Sequence, residues 1–559
     1  MIGLSENKTF FESGNKFFCL YLIFVVVYLG AQMFQGLSYL DIGMYMSGYQ
    51  YFNEDPYASY FLGQWILTYN LTSALCKVFS IDSYIGLRVM HLVYVLVSQM
   101  IVYFYLKRYI SKRSIIVGLF VTTLAHYGSY TEINYNDYSA VLLLLSILSF
   151  HCGSNKNKAW LIVLSGVIVG ISIFFRIVNI TFIGIPLLSL LISLKWDVKM
   201  KPVRRVVFFY MGVLVGIIGT LAILKVQNLL DVFALTFADI FIISADNGDP
   251  HGLLFVMRSL YNLYSNLLAN AVYITLLWLM IRQTMEIQRS LVRLTMFGVI
   301  VILTFVIMHF SYFPSNITMA ICIIGSVALF FAYYKVETSL AHLILLSLYL
   351  PLILPFGSNA EPSFYGKEIC FLTLPLSVYV LFDALTKCLE QKQNELRALL
   401  YKSSAGFLLA VLSVGFIFYN ITHKQMEEGN RLSCRYMVNN SRTCYILTTG
   451  ENASMYNHLV NELSTYVPKE SYMICSFSLP MVSILECRPW AVYSTVYSTD
   501  KMNDRYIDVA WKHTGKLPYV LLDDEDLSTG YKHILDKLSL IKSYRKVWTD
   551  GKYSLYYYK

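Results

Sequence analysis

Residues 17–34 read FFCLYLIFVVVYLGAQMF, and residues 39–75 read YLDIGMYMSGYQYFNEDPYASYFLGQWILTYNLTSAL. The first stretch is uncharged over a length able to cross ~30 Å of hydrocarbon. It has no small-residue cleavage site and many more apolar runs follow it, so it reads as a retained helix rather than a signal peptide. The second stretch places Asp41 at the mouth of that helix and Glu54-Asp55-Pro56 further along. These carboxylates stand where hydrocarbon gives way to water, the position for a base that handles a lipid-borne substrate.

Composition agrees with this reading. Of 559 residues, 56% are hydrophobic and 14% charged, with mean hydropathy +0.53; a soluble domain would carry roughly 25% charged residues. Apolar runs fall at about 17–34, 84–105, 114–130, 138–153, 159–175, 178–194, 206–225, 266–281, 294–312, 316–334, 339–356, 369–386 and 404–421. The expected fold is a polytopic α-helical membrane protein of about thirteen transmembrane helices. Lys and Arg cluster after the even-numbered runs, at 107–113, 156–158, 195–205, 282–293, 335 and 387–402. Positive loops stay cytoplasmic, so the N-terminus is expected inside and everything after residue 421 on the opposite face.

The expected organisation is a transmembrane module over 1–421, with a first outer loop at 35–83, and a soluble extracytoplasmic α/β domain over 422–559. In the second part charged residues become common. Strands are expected at 443–448, 472–477 and 519–522, with helices near 451–464, 502–513 and 529–540. Asp550-Gly551 between two β-rich arms signals a hairpin. No dinucleotide fingerprint or P-loop occurs there, which excludes a motif-based nucleotide-binding assignment. Cys434 and Cys444 are the cysteines of this domain closest in sequence, and an oxidising compartment would allow them to bridge. No C-x-x-C spacing suggests a metal.

Several features carry a resemblance. An acidic residue follows the first helix directly, and an acidic-Pro step lies in the first loop. A span then ends in GLRVMHLVYVLVSQMIVYFYLKRY. The next loop, HYGSYTEINYND at 126–137, leads into the helix NYNDYSAVLLLLSILS, and LIVLSGVIVGISIFFRIVNITFIGIPLLSLLI follows with a basic residue at its tip. This pattern resembles the GT-C class of integral-membrane glycosyltransferases, nearest to the protein O-mannosyltransferases and the bacterial lipid A aminoarabinose transferases. VPKESYMIC and LPYVLLDDED are similar to the periplasmic α/β domain of bacterial members. The chain departs from the mannosyltransferase pattern in two places. Ile42 follows Asp41, so there is no Asp-Glu pair, and Glu-Asp-Pro stands in place of His-Pro-Pro.

The resemblance implies transfer of a sugar from polyprenyl phosphate to a protein, lipid or glycan acceptor on the outer face, in a bacterial inner membrane, with membrane lipids as neighbours and no nucleic-acid partner. Asp41 is then the general base, with Asp55 and Glu54 as further catalytic candidates. Asp137 occupies the second acidic position. Arg176, and after it Arg258 and Lys367, are candidates for the departing phosphate, whose growing charge a fixed cation stabilises. An Arg at the tip of an apolar hairpin is costly unless something pairs with it. No cofactor is certain; a cluster of carboxylates could hold Mg²⁺ or Mn²⁺, but no ligand spacing specifies it.

Each residue also has a plain structural role open to it. Asp41 could solvate a helix end, Asp137 could cap a helix, Glu54-Asp55 could pin a loop, and Arg176 could snorkel to headgroups. Two other classes compete with the enzyme. A transporter or lipid flippase would place ionisable residues and broken helices at the midplane of matched halves, and no such pair of halves is visible. A scaffolding protein would leave the carboxylates of the two loops with no reason to face each other.

Overall fold

The computed structural model describes residues 5–37, 41–125, 132–193, 198–245, 253–310, 314–331, 337–353, 366–390, 395–422, 430–476, 479–491, 500–524 and 531–558. Each of the thirteen apolar runs overlaps a described helix. Five of these helices are long and apolar enough to cross a membrane: Tyr84–Leu106, Tyr135–Lys156, Pro202–Val226, Cys370–Lys387 and Glu395–Thr422. Shorter apolar helices, including Lys16–Gln32 and Ala159–Phe175, pack among them. The chain is built as an integral membrane protein with a strand-containing C-terminal part.

Glycine fixes the closest contact in the bundle. Helices Ala159–Phe175 and Pro202–Val226 each present two glycines a turn apart, Gly166 and Gly170 against Gly212 and Gly216. A methyl group on Gly166 would lie 2.0 Å from the Phe209 carbonyl oxygen, and one on Gly212 would lie 2.1 Å from that of Val163. Both backbones therefore approach closer than any side chain permits, the small-residue packing that substitutes for a hydrophobic driving force in lipid. The first of these helices ends at Phe175, so the seam also sets the height of Arg176.

The first loop is not irregular. It forms a helix Asp41–Tyr51, a 3₁₀ turn Tyr60–Trp65 and a helix Ile66–Phe79. Tyr and Gly spacing shapes this layer: a methyl on Gly48 would meet the Tyr69 ring at 2.3 Å, so the two helices lie in direct contact. A further helix, Leu230–Ala245, covers the 3₁₀ turn. There Thr236 donates to the Tyr60 carbonyl at 2.7 Å, and the Tyr60 hydroxyl donates to buried Asp239 at 2.7 Å.

Residues 430–558 contain a small antiparallel pair, β1 (Tyr436–Met437) with β2 (Leu447–Thr448), and a five-stranded mixed sheet. The larger sheet has the order β4 (Arg488–Pro489), β3 (Tyr472–Cys475), β5 (Tyr519–Asp523), β7 (Tyr553–Tyr558), β6 (Tyr544–Thr549). β3 runs parallel to β4 and β5, while β7 is antiparallel to β5 and β6. Because strand side chains alternate, Ile474, Val520 and Leu522 enter a core closed by helices Asp500–Thr514 and Tyr531–Ile541. Met473, Cys475, Leu521 and Leu555 face the other way, onto helix Gly450–Leu463 and the aromatic residues of the first loop. Gly551, at φ +92°, makes the tight turn between β6 and β7. Among the described residues no disulfide forms, so Cys434 and Cys444 do not bridge.

Candidate functional site

The chain leaving the first helix is captured at once. Gly36 donates its N–H to the Leu447 carbonyl at 2.8 Å, and Leu447 donates back to that of Phe34 at 2.7 Å, so the segment adds to the edge of β2. From the other side, Arg88 donates to the carbonyls of Met33 (2.7 Å) and Gln35 (3.2 Å) and to that of Gly36. Its Nε holds the Glu132 carboxylate, and both side chains are fully buried. The gripped segment precedes the Asp41–Tyr51 helix in the chain. Asp41 is the first residue of that helix, one turn before Tyr45; its side chain lies outside the described residues.

The helix is seated by its tyrosines. The Tyr49 hydroxyl donates to the Ile133 carbonyl at 2.9 Å, and the Tyr45 ring meets Tyr135 edge-on at 6.2 Å. Tyr135 opens the next long helix, whose start is a capping box: the Asn134 side chain accepts from the Asn136 N–H, and Asp137 accepts from the Asn134 N–H at 2.9 Å. A carboxylate at this position suits the positive end of the helix dipole. Asp137 is more than a cap, because the same Oδ2 also accepts from His91 Nδ1 at 3.0 Å. Its other oxygen, Oδ1, is buried with no hydrogen-bond partner, and so is Oδ1 of neighbouring Asn136. A buried acceptor without a donor costs about 1–3 kcal/mol, which a hydroxyl-bearing ligand would relieve.

Arg176 stands where helix Ala159–Phe175 breaks into the 3₁₀ turn Ile177–Gly184. Its backbone is extended there, and the Asn179 N–H donates to its carbonyl at 2.9 Å. Asn179 in turn ties the turn to the 135–156 helix by donating to Ser139 Oγ at 2.9 Å. The buried Arg176 guanidinium lies over the Tyr135 ring at 5.8 Å, and the Trp65 ring stacks on Tyr135 at 4.8 Å with 10° between the planes. Tyr135 is thus where four pieces meet: the Asp41 helix, the Trp65 turn, the Asp137 cap and the Arg176 break.

Glu54 and Asp55 have other contacts. Asp55 accepts from the Tyr472 hydroxyl of β3, and Glu54 pairs with Arg488 at 3.1 Å and with Lys77 at 3.6 Å. Burial, and then the Asp55 carboxylate, push the Tyr472 hydroxyl well above its ordinary value. Next to these, the Tyr57 ring stacks on His513 at 3.9 Å, and the Ala491 N–H donates to the Ala58 carbonyl at 2.6 Å. Both carboxylates therefore lie in the seam that docks the first loop onto the C-terminal part. Arg258 and Lys367 belong to helices Leu253–Glu286 and Gly366–Tyr379, and their side chains lie outside the described residues.

The sequence reading did not single out Arg88, His91, Glu132, Trp65 or Tyr135. A signal for the first two was present: GLRVMH places two ionisable side chains within one turn of an otherwise apolar run, a combination rarely tolerated in lipid without a partner. Among the described residues no three His, Cys, Asp or Glu side chains gather as metal ligands do. His91 and Asp137 form a pair.

No family model and no curated protein matches this chain. Among solved structures it is similar to ArnT from Cupriavidus metallidurans bound to undecaprenyl phosphate, at 13% identity over 97% of this chain and 98% of that one, with a TM-score of 0.44. It is also similar to the oligosaccharyltransferase of Archaeoglobus fulgidus in complex with Zn and sulfate, at 13% identity and a TM-score of 0.43. That match covers 92% of this chain and 66% of the other, so the chain spans about two thirds of the oligosaccharyltransferase's length.

Proposed function

We propose that this protein is an integral-membrane glycosyltransferase that moves a sugar from a polyprenyl-phosphate donor to an acceptor at the membrane face carrying the C-terminal domain. The observation that supports it most is the meeting of a buried guanidinium, Arg176, and a buried carboxylate with an unused oxygen, Asp137, around Tyr135, whose ring also meets Tyr45 of the Asp41–Tyr51 helix. In this reading the acceptor hydroxyl attacks the anomeric carbon and the bond from that carbon to the phosphate oxygen breaks. The phosphate keeps the electron pair. Asp41 takes the acceptor proton as general base. Arg176 stabilises the charge gathering on the phosphate, and Asp137 Oδ1 accepts from a sugar hydroxyl.

With the N-terminus cytoplasmic, this face is the outer one, and a bacterial inner membrane suits the donor. We assign Glu54 and Asp55 to holding the loop against the C-terminal part rather than to the chemistry, given their contacts with Arg488 and Tyr472. Arg258 and Lys367 remain second choices for the phosphate.

The test is transfer by purified full-length protein from a panel of labelled polyprenyl-phosphate sugars. One donor should be consumed, and Asp41→Asn should lower kcat by about 10²–10⁴-fold with donor binding retained. A folded wild type that leaves every donor intact would remove the enzyme reading and favour transport.

A further inference from the structure

Arg88 and His91 lie a turn apart on helix Tyr84–Leu106, and both are buried. Their carboxylate partners, Glu132 and Asp137, flank the start of the next long helix. The rest of the Arg88 guanidinium is spent on the carbonyls of Met33, Gln35 and Gly36, in the segment that leads toward Asp41. One helix face therefore holds the segment that leads toward Asp41 and the segment that carries Asp137. Burying two such pairs is a poor way to gain stability, because desolvation consumes much of the Coulombic attraction. What the arrangement supplies is register: the guanidinium fork fixes direction as well as distance, and the imidazole takes Asp137 Oδ2 and leaves Oδ1 without a partner.

We propose that Arg88 and His91 are positioning residues that set Asp41 and Asp137 at one fixed separation, so that acceptor and donor meet in a single geometry. This role rests on the transferase reading. It assigns two different tasks on one helix face. Arg88 locates the start of the Asp41 helix relative to the second loop. His91 holds the Asp137 carboxylate in one rotamer by donating its Nδ1–H.

The experiment uses full-length protein in lipid nanodiscs, with amide exchange over residues 33–51 and 132–140 measured beside transfer kinetics. Arg88→Gln should speed exchange in both segments and lower kcat tenfold or more while donor KM moves less than about threefold, since small misplacements act on the reacting geometry. Arg88→Lys, which keeps the charge but loses the fork, should fall between the two. His91→Leu should lower kcat by a similar factor, and His91→Asn, whose side-chain amide can donate in the same place, should recover most of it. Unchanged exchange in Arg88→Gln, or equal losses in His91→Leu and His91→Asn, overturns the positioning role while an active wild type leaves the transferase standing. A wild type inactive with every donor overturns both, and exchange that still rises in Arg88→Gln then marks the contacts as structural only.

Discussion

Two seams hold this molecule together, and they work by opposite means. The glycine seam between helices Ala159–Phe175 and Pro202–Val226 contains no charge and brings backbones into contact. The polar seam around Arg88 and His91 contains four ionisable side chains, all buried, joining segments far apart in sequence. The first tolerates no added volume. The second tolerates no missing partner. Strength and placement are thus separated: close packing sets how firmly Arg176 is carried, while paired charges set where the loops bearing Asp41 and Asp137 come to rest.

The comparison is broken most sharply by removing half of an ion pair. Arg88→Met leaves Glu132 buried without its partner and is expected to cost about 3–5 kcal/mol. Arg88→Met with Glu132→Leu removes both charges and should recover much of that stability. Thermal unfolding of the two variants in detergent measures the difference. A double variant no more stable than the single one would mean that the carbonyl contacts of Arg88, rather than the charge pair, carry the effect.

A smaller loss is expected from the other seam. Gly212→Leu must displace the Val163 carbonyl, which would lie 2.1 Å from the added Cβ, and overpacking of this kind costs about 1–3 kcal/mol. Gly219, on the same helix, has nothing within 4 Å of an added methyl, so Gly219→Leu is the control and should melt like wild type. Equal losses at both positions would mean the seam is not what packs the helix.

These two seams were unequally legible in the sequence. Apolar length marks helices without ambiguity, and short runs of β-prone residues mark β3 and β5, because both signals are local. GVLVG and GVIVG also sit openly in the chain, but pairing them requires knowing which helices touch. The polar seam was hidden for the same reason: Arg88 and His91 were read inside one apolar run, Glu132 and Asp137 inside a loop, and nothing in either stretch names the other. Arg205 illustrates the limit of counting charge. It was read as one of a cluster of loop cations, yet it is buried and donates to Ser189 Oγ. The first-loop helices escaped notice because neither holds a long apolar run: Gly, Tyr and Ser interrupt Asp41–Tyr51, and Thr, Asn and Ser interrupt Ile66–Phe79; their shape comes from contacts such as Gly48 on Tyr69 and Tyr49 on Ile133. Glu54 and Asp55 meet their partners Arg488 and Tyr472 in strands more than four hundred residues later, which nothing in their own stretch names.

The smallest expected effect comes from a charge at the exposed end of the scale, in the β6–β7 turn. Asp550 accepts from the N–H groups of Lys552 (2.9 Å) and Tyr553 (2.7 Å) and from His458 Nε2 at 3.1 Å. Partial burial pushes its carboxyl upward, but the Tyr553 and Lys552 amides and the His458 ring together outweigh this and hold it below the ordinary 3.8. A carboxyl depressed in the folded state stabilises that state above its unfolded value, and the contribution disappears as pH falls through the folded value. Amide exchange in the hairpin should therefore be faster in Asp550→Asn than in wild type at pH 5, and the gap should close as pH drops below 3.8. A gap that stays constant down to pH 2.5 would place the turn's stability in Gly551 and its backbone rather than in the carboxylate.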